Sequence, residues 1–291
     1  MNTYLVLQKE TKFMPIRQLN DAEYEEYEGA IKCLADFSGE LQLFTIVYMN
    51  YNAYENILNR YFEDFTNRPS MSISQIESMN LNINRYILNF LSSVRTYLDH
   101  HKTNLKKRNE KNSQRVRLFE SACKNAYESH FSYRFLYRLR NYTQHFGMPI
   151  GKFTLQKSLI PGSNDIHHSF GVEFDRDELL RYDKWGPQLK SEIQTLPPNF
   201  EITPHITVMM KCIEKINFTL IKDDLPNLIK SAEYVKQLIA EIKDNSGIPY
   251  ISRYEKLNGK EVKIHLEHLP FHLVEMIDNI RNENSRFVHY K

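Results

Sequence analysis

Apolar positions recur at intervals of three and four through the first half of the chain, the spacing of helices that bury one face. From Asp21 to Phe65 the stripe passes through Ile31, Leu34, Phe37, Leu41, Phe44, Tyr48, Tyr51, Tyr54, Leu58, Tyr61 and Phe65, with a break expected near Ser38-Gly39. Pro69 ends it, and Ser72 or Ser74 is placed to cap a second long helix through Met79, Ile83, Ile87, Phe90, Val94, Leu98 and Leu105. A third pattern runs from about Asn112 to His145 through Val116, Phe119, Cys123, Tyr127, Phe131, Phe135 and Leu139. Between the second and third, Lys102 to Lys111 is polar and basic without a strong breaker, which reads as the tip of a helical hairpin.

The period changes after Pro149. Lys152 to Ile160 and Ile166 to Phe174 are short β-like runs flanking Pro161-Gly162-Ser163-Asn164-Asp165, so a hairpin is expected. Asp175 or Asp177 can cap a short helix towards Trp185, Leu196 to Asn199 forms a loop, and Thr203-Pro204 opens a further helix. Pro226 is expected to open another, ending at Asn245-Ser246-Gly247. Tyr250 to Leu257 and Lys260 to Leu266 around Asn258-Gly259 read as a second hairpin, and a helix from about Phe271 to Asn282 follows. The expected fold class is mainly α, a bundle of long helices with one or two β-hairpin insertions. Its divisions are an N-terminal helical part (1–150), a hairpin and loop insertion (151–200), and C-terminal helices plus hairpin (201–291) packed on the same core.

Composition narrows the function classes. The chain has 291 residues with 41% hydrophobic and 25% charged content, ordinary for a globular protein. Its formal charge of +2 supplies no global field for nucleic acid, so any basic surface must be local. Cys33, Cys123 and Cys212 are far apart and odd in number, which fits a reducing compartment rather than a disulfide framework. The N-terminus has no basic segment ahead of its short apolar run, and no window approaches a membrane span, so a cytoplasmic protein without membrane attachment is expected. Glycine-rich phosphate loops, a Gly-x-Ser-x-Gly elbow and paired thiols are absent from the sequence, which argues against P-loop, dinucleotide and α/β-hydrolase chemistry. No cofactor or metal is implied. His265, His268 and His272 have a ligand-like spacing, but Pro270 interrupts any single helix there and no other ligand completes a zinc pattern.

The chemistry-bearing segment is Leu139-Arg140-Asn141-Tyr142-Thr143-Gln144-His145, followed by Phe146-Gly147-Met148-Pro149. The bare Arg-x4-His spacing recurs at Arg95 and His100, so spacing alone does not mark a site. Context separates the two. Arg140 is followed by a polar amide, and His145 falls in the last turn before Gly147, a C′ candidate, with Pro149 beyond. Asn141 and His145 share a helix face, whereas Arg140 and His145 lie about 140° apart on an ideal helix. A long arginine side chain or fraying of the final turn would have to close that gap.

Arg140-Asn141-x3-His145 at the end of a long helix resembles the Arg-x(4–6)-His signature of the HEPN superfamily, in which a polar residue often follows the arginine. The resemblance implies a metal-independent endoribonuclease of toxin–antitoxin, abortive-infection or other antiviral systems. His145 would be the acid/base residue, Arg140 would hold the scissile phosphate, and Asn141 would orient one of them. Attack by the substrate's own 2′-OH would give 2′,3′-cyclic phosphate and 5′-OH ends and spare DNA. Such nucleases usually work as homodimers with two motifs facing across a two-fold axis, and an antitoxin or regulatory partner is implied. HEPN toxins paired with an MNT nucleotidyltransferase carry a tyrosine two positions after the histidine, where this chain has Gly147, so that route of control is not expected.

RNA is the expected partner, and further contacts are sought in the basic tip (Lys106, Lys107, Arg108) and near the motif at Arg134 and Arg138, with Tyr133 and Tyr137 as stacking or packing residues. About 30 residues of helix at ~1.5 Å each would separate the tip from His145, so the tip is not the active site itself. Arg95, Asp99 and His100 would sit beside the motif. The competing class is a helical RNA- or protein-binding module without catalysis.

Overall fold

The computed structural model describes residues 2–67, 70–108, 113–148, 150, 152–159, 166–242, 247–256 and 262–287. The fold is mostly helical with two small antiparallel sheets. In chain order the elements are β1 (Asn2–Lys9), β2 (Lys12–Leu19), α1 (Asp21–Asn67), α2 (Ile73–Arg108), α3 (Gln114–Ser129), α4 (Phe131–His145), β3 (Lys152–Leu159), β4 (Ile166–Asp175), α5 (Arg176–Leu180), α6 (Pro187–Gln194), β5 (Asn199–Glu201), α7 (Thr203–Ala240), β6 (Ile248–Lys256), β7 (Val262–His268) and α8 (Phe271–Phe287). A short 3-10 turn, Asp183–Trp185, lies between α5 and α6. Among the described residues no helix is long and apolar enough to cross a membrane.

Two compact units emerge from the packing, one made of residues 1–41 and 221–291 and the other of 42–220. The sequence boundaries near 150 and 200 mark changes of element type inside the second unit. In the first unit the sheet order is β2-β1-β6-β7, all antiparallel. Its core face carries Leu5, Leu7 and Ile251, packed with Tyr27, Leu238 and Leu269. The N-terminal strands went unassigned in the sequence because Leu5, Val6 and Leu7 are all buried, and a continuous apolar run lacks the alternation that announces a strand. The hairpin of β6 and β7 matches expectation, although its Asn258-Gly259 turn lies outside the described residues, as do the Pro161–Asp165 turn and Pro149.

Helix boundaries follow local chemistry. Asn20 and Glu23 form a reciprocal box at the start of α1, with each side chain accepting the other's backbone N–H at 2.8 and 2.9 Å. Ser72 and Gln75 repeat the device before α2, at 3.3 and 2.8 Å. The expected breaks at Ser38-Gly39 and Pro226 do not occur, since α1 and α7 run through them. An internal proline costs a helix about 3 kcal/mol. In α7, burial of Leu228, Ala232 and Val235 beyond it offsets that cost.

The opposite correction applies to the third pattern, where one expected helix is two. His130 is extended (φ −124°, ψ 112°) and divides α3 from α4. No glycine or proline marks the break. The stripe on α2 is buried as expected, from Met79 to Leu105, and α2 packs against both α3 and α4. Beneath α4 lies an aromatic core in which Phe135 touches Phe174 of β4, Phe200 of β5 and Trp185. The hairpin region after residue 150 therefore supplies the floor on which α4 rests.

His101 occupies an unusual place in this unit. It is 1% exposed, edge-on to the Tyr97 ring at 4.3 Å, and neither ring nitrogen has a hydrogen-bond partner. Burial, reinforced by Arg115, His100 and Arg108, pushes its pKa down to about 4. The folded state therefore holds a neutral imidazole, while the unfolded chain takes up a proton near pH 6.5. Stability from this residue is complete above pH 6.5 and falls as the pH drops towards 4, by up to about 3 kcal/mol. Urea denaturation at pH 7 and pH 5 should show a loss that His101→Phe reduces. An equal loss in the variant would locate the acid sensitivity elsewhere.

Candidate active site

Helix α4 carries the Arg140–His145 segment and stays helical to its end. The Phe146 N–H donates to the Tyr142 carbonyl at 2.8 Å and the Gly147 N–H reaches the same oxygen at 3.3 Å. The final turn is therefore closed, and fraying does not bring Arg140 to His145. Gly147 is not the left-handed cap expected from the sequence, for the described glycine with positive φ is Gly186. Its lack of a side chain has another cause: a Cβ there would lie 3.0 Å from the Tyr142 hydroxyl oxygen. Tyr142 is itself buried, stacked on Trp185 with ring centroids 5.7 Å apart. Beyond the motif, Asn84 of α2 accepts the Ile150 N–H at 3.1 Å, so the chain is anchored again within five residues of His145.

Intact helical geometry sorts the functional side chains onto two stripes. Tyr133, Tyr137, Arg140 and Gln144 fall within about 60° of one another, and the half-buried Arg140 guanidinium donates to the Gln144 side-chain oxygen. Arg134, Arg138, Asn141 and His145 form a second stripe about 100° away. His145 is exposed and Asn141 half-buried; among the described residues neither makes a side-chain hydrogen bond or ion pair. Within one chain, then, Asn141 and His145 are brought to one face, and Arg140 stands on the neighbouring face. Phe146 and Met148, 48% and 62% exposed, surround the histidine end with apolar surface.

The other expected contact residues divide. Arg134 is 6% exposed and cannot serve RNA. It forms a two-point ion pair with Glu192 of α6 at 3.2 and 2.6 Å, and donates to the carbonyls of Tyr127 and Glu128 at 2.6 and 2.8 Å. Those carbonyls are among the last of α3, which lack partners inside their own helix. Arg134 is thus a structural clasp, a role that no spacing announces because its partners come from α3 and α6. Arg138 is half-buried, with its Nε atom unpartnered. At the end of α2, Lys106, Lys107 and Arg108 are exposed, and Lys106 pairs with Glu120 at 3.1 Å. Lys111 lies outside the described residues.

The duplicate spacing at Arg95 and His100 is resolved in favour of structure. Arg95 pairs with Asp99 at 2.7 Å, lies over the Tyr137 ring at 4.8 Å from its centroid, and donates to the Tyr137 hydroxyl. His100 is exposed on another face of α2. Of the histidines with ligand-like spacing, His265 and His268 sit three apart on β7, which directs them to opposite sheet faces. Among the described residues no group of three metal-binding side chains occurs. His205, missed in the sequence, accepts or donates at 2.8 Å to the Ser132 hydroxyl and is ringed by Phe131, Phe135 and Phe200. Burial lowers its pKa, and this half-buried side chain links the start of α7 to α4.

No family model matches the chain, and no curated protein or solved structure proves significantly similar to it.

If Arg134 is a clasp, Arg134→Ala should destabilise the protein by about 3 kcal/mol, because it strands a carboxylate and two carbonyls. Chemical denaturation measures this. A variant of unchanged stability but weakened RNA binding would return Arg134 to the RNA-contact role.

Proposed function

We propose that the protein is a HEPN-like, metal-independent endoribonuclease, a toxin or antiviral effector acting as a homodimer. The observation that carries this reading is the open end of α4, where exposed His145 and half-buried Asn141 share a face one turn apart while Arg140 stands beside them on an intact, anchored helix. The side chains suit phosphodiester chemistry. An imidazole removes the proton of the ribose 2′-OH, whose oxygen attacks phosphorus and forms the cyclic phosphate. A second imidazole protonates the departing 5′-oxygen, and the guanidinium bonds the charged phosphoryl oxygens of the transition state. Atoms and protons balance without a metal, and the site resets by proton exchange with water.

The two-stripe geometry favours a dimer. One helix turns Arg140 and His145 about 140° apart, so a single chain offers a poor site. A second copy about a two-fold axis lets the arginine of one chain work with the histidine of the other and supplies the second imidazole. Phe146 and Met148 provide apolar surface for that contact.

Purified protein incubated with mixed RNA in EDTA should generate fragments with 2′,3′-cyclic phosphate ends and leave DNA intact. Arg140→Ala and His145→Ala should each lower the rate roughly 10²–10⁴-fold. An inactive wild-type protein, or cleavage surviving both substitutions, refutes the catalytic reading and leaves the binding module.

A further inference from the structure

A cleft of about 430 Å³ opens between α2, α3 and α4 on the stripe that leads to Arg140. Its walls include Tyr127, Tyr133 and Tyr137, with Arg95, Lys102 and Lys124 around them. Tyr133 and Tyr137 lie nearly parallel (interplanar angle 11°), and Tyr127 meets Tyr137 edge-on at 89°. The buried Tyr133 forms the floor, while Tyr127 is half-buried at the wall.

The charges at this cleft are uneven in commitment. Asp99 is engaged by Arg95 at 2.7 Å and Glu120 by Lys106 at 3.1 Å. Lys102 is exposed and has no ion-pair partner among the described residues, and Lys124 reaches only Glu128, at 3.7 Å between two exposed side chains. What remains without a carboxylate is Lys102, with Lys124 only loosely paired. On α2, Arg95, Lys102 and Lys106 share one stripe running about 17 Å towards the basic end of the helix. On α4, Tyr137 precedes Arg140 by about 4.5 Å along the axis. An aromatic cleft thus lies on the stripe of the proposed phosphate-binding arginine, with Lys102 on its α2 side as the cation that no carboxylate engages.

We propose that this cleft is a base-binding subsite for single-stranded RNA, holding a nucleotide beside the scissile bond. Its base stacks on Tyr127, and the flanking phosphates follow Lys102 and the end of α2. Stacking platforms of this kind accept bases that are not paired, since a duplex hides their faces. The volume falls in the range of small-molecule pockets, which suits a single nucleotide and not a helix of RNA. The identification of the ligand as the substrate strand rests on the ribonuclease reading, whereas the binding geometry does not.

Binding of a fluorescein-labelled, fully 2′-O-methylated RNA oligonucleotide, measured by anisotropy, tests the subsite without cleavage. The single strand should bind and the duplex of the same sequence should bind far more weakly. Tyr127→Ala should weaken binding about tenfold and Tyr127→Phe should restore it, because the ring face is what stacks. Lys102→Ala should lower the salt-dependence slope by about 0.7, the signature of one lost single-strand phosphate contact. His145→Ala should bind as the unaltered protein does. Failure of the unaltered protein to bind, equal duplex affinity, or indifference to Tyr127→Ala overturns the subsite. Normal binding with no cleavage of unmodified RNA overturns the ribonuclease reading alone.

Discussion

The guanidinium of Arg134 joins three elements that have no covalent reason to meet at that angle: the end of α3, the first turn of α4 and Glu192 of α6. Removing a guanidinium and a carboxylate from water costs several kcal/mol per ion, and the cost is offset only when the hydrogen bonds are nearly complete. Here four donor contacts are satisfied. Two of them go to carbonyls that the break at His130 would otherwise leave without partners. The kink and its clasp are therefore one device. They set the direction of α4, and through it the position of each side chain from Tyr133 to His145.

Consequences for chemistry follow from the regularity of that helix. A frayed last turn would let Arg140 and His145 meet within one chain. A closed turn, buttressed by Tyr142 and by the Asn84 contact to Ile150, keeps them apart and gives each its own environment. Arg140 lies on the tyrosine stripe, and its guanidinium is held by Gln144 one turn further on. His145 looks outward beside Phe146 and Met148. Under the ribonuclease proposed above, that separation would divide phosphate binding from proton transfer and call for a site completed by two chains.

Much of the helical layer was legible because its residues obey a single local period. The α2 stripe from Met79 to Leu105 is buried throughout, and both predicted hairpins form. What escaped was set by partners distant in sequence. The His130 break carries no breaker residue, and the Arg134 side chain that satisfies the carbonyls it frees lies on the following helix. Pro226 reads as a helix start, yet burial on either side holds α7 together. Arg134 and Arg138 look alike in the sequence; only the position of Glu192, 58 residues away, makes the first a buried strut. Gly147 reads as a conformational glycine, yet its φ is not positive, and a Cβ there would instead press on the Tyr142 hydroxyl. The tyrosines of α4 were noticed, but the cleft they line depends on α2 and α3 approaching together.

The stacking of Trp185 on Tyr142 has an optical meaning. Trp185 is the chain's one tryptophan, 1% exposed, its indole N–H donating to the Leu179 carbonyl at 2.7 Å. All indole emission therefore originates at a single point, stacked on Tyr142, which lies three residues along α4 from the histidine that ends it. A blue-shifted signal there reports a dry, closed helix end, and any rearrangement of that end registers as a change in colour or lifetime. The fold carries its own lamp beside the motif, and no dye need be attached to watch it.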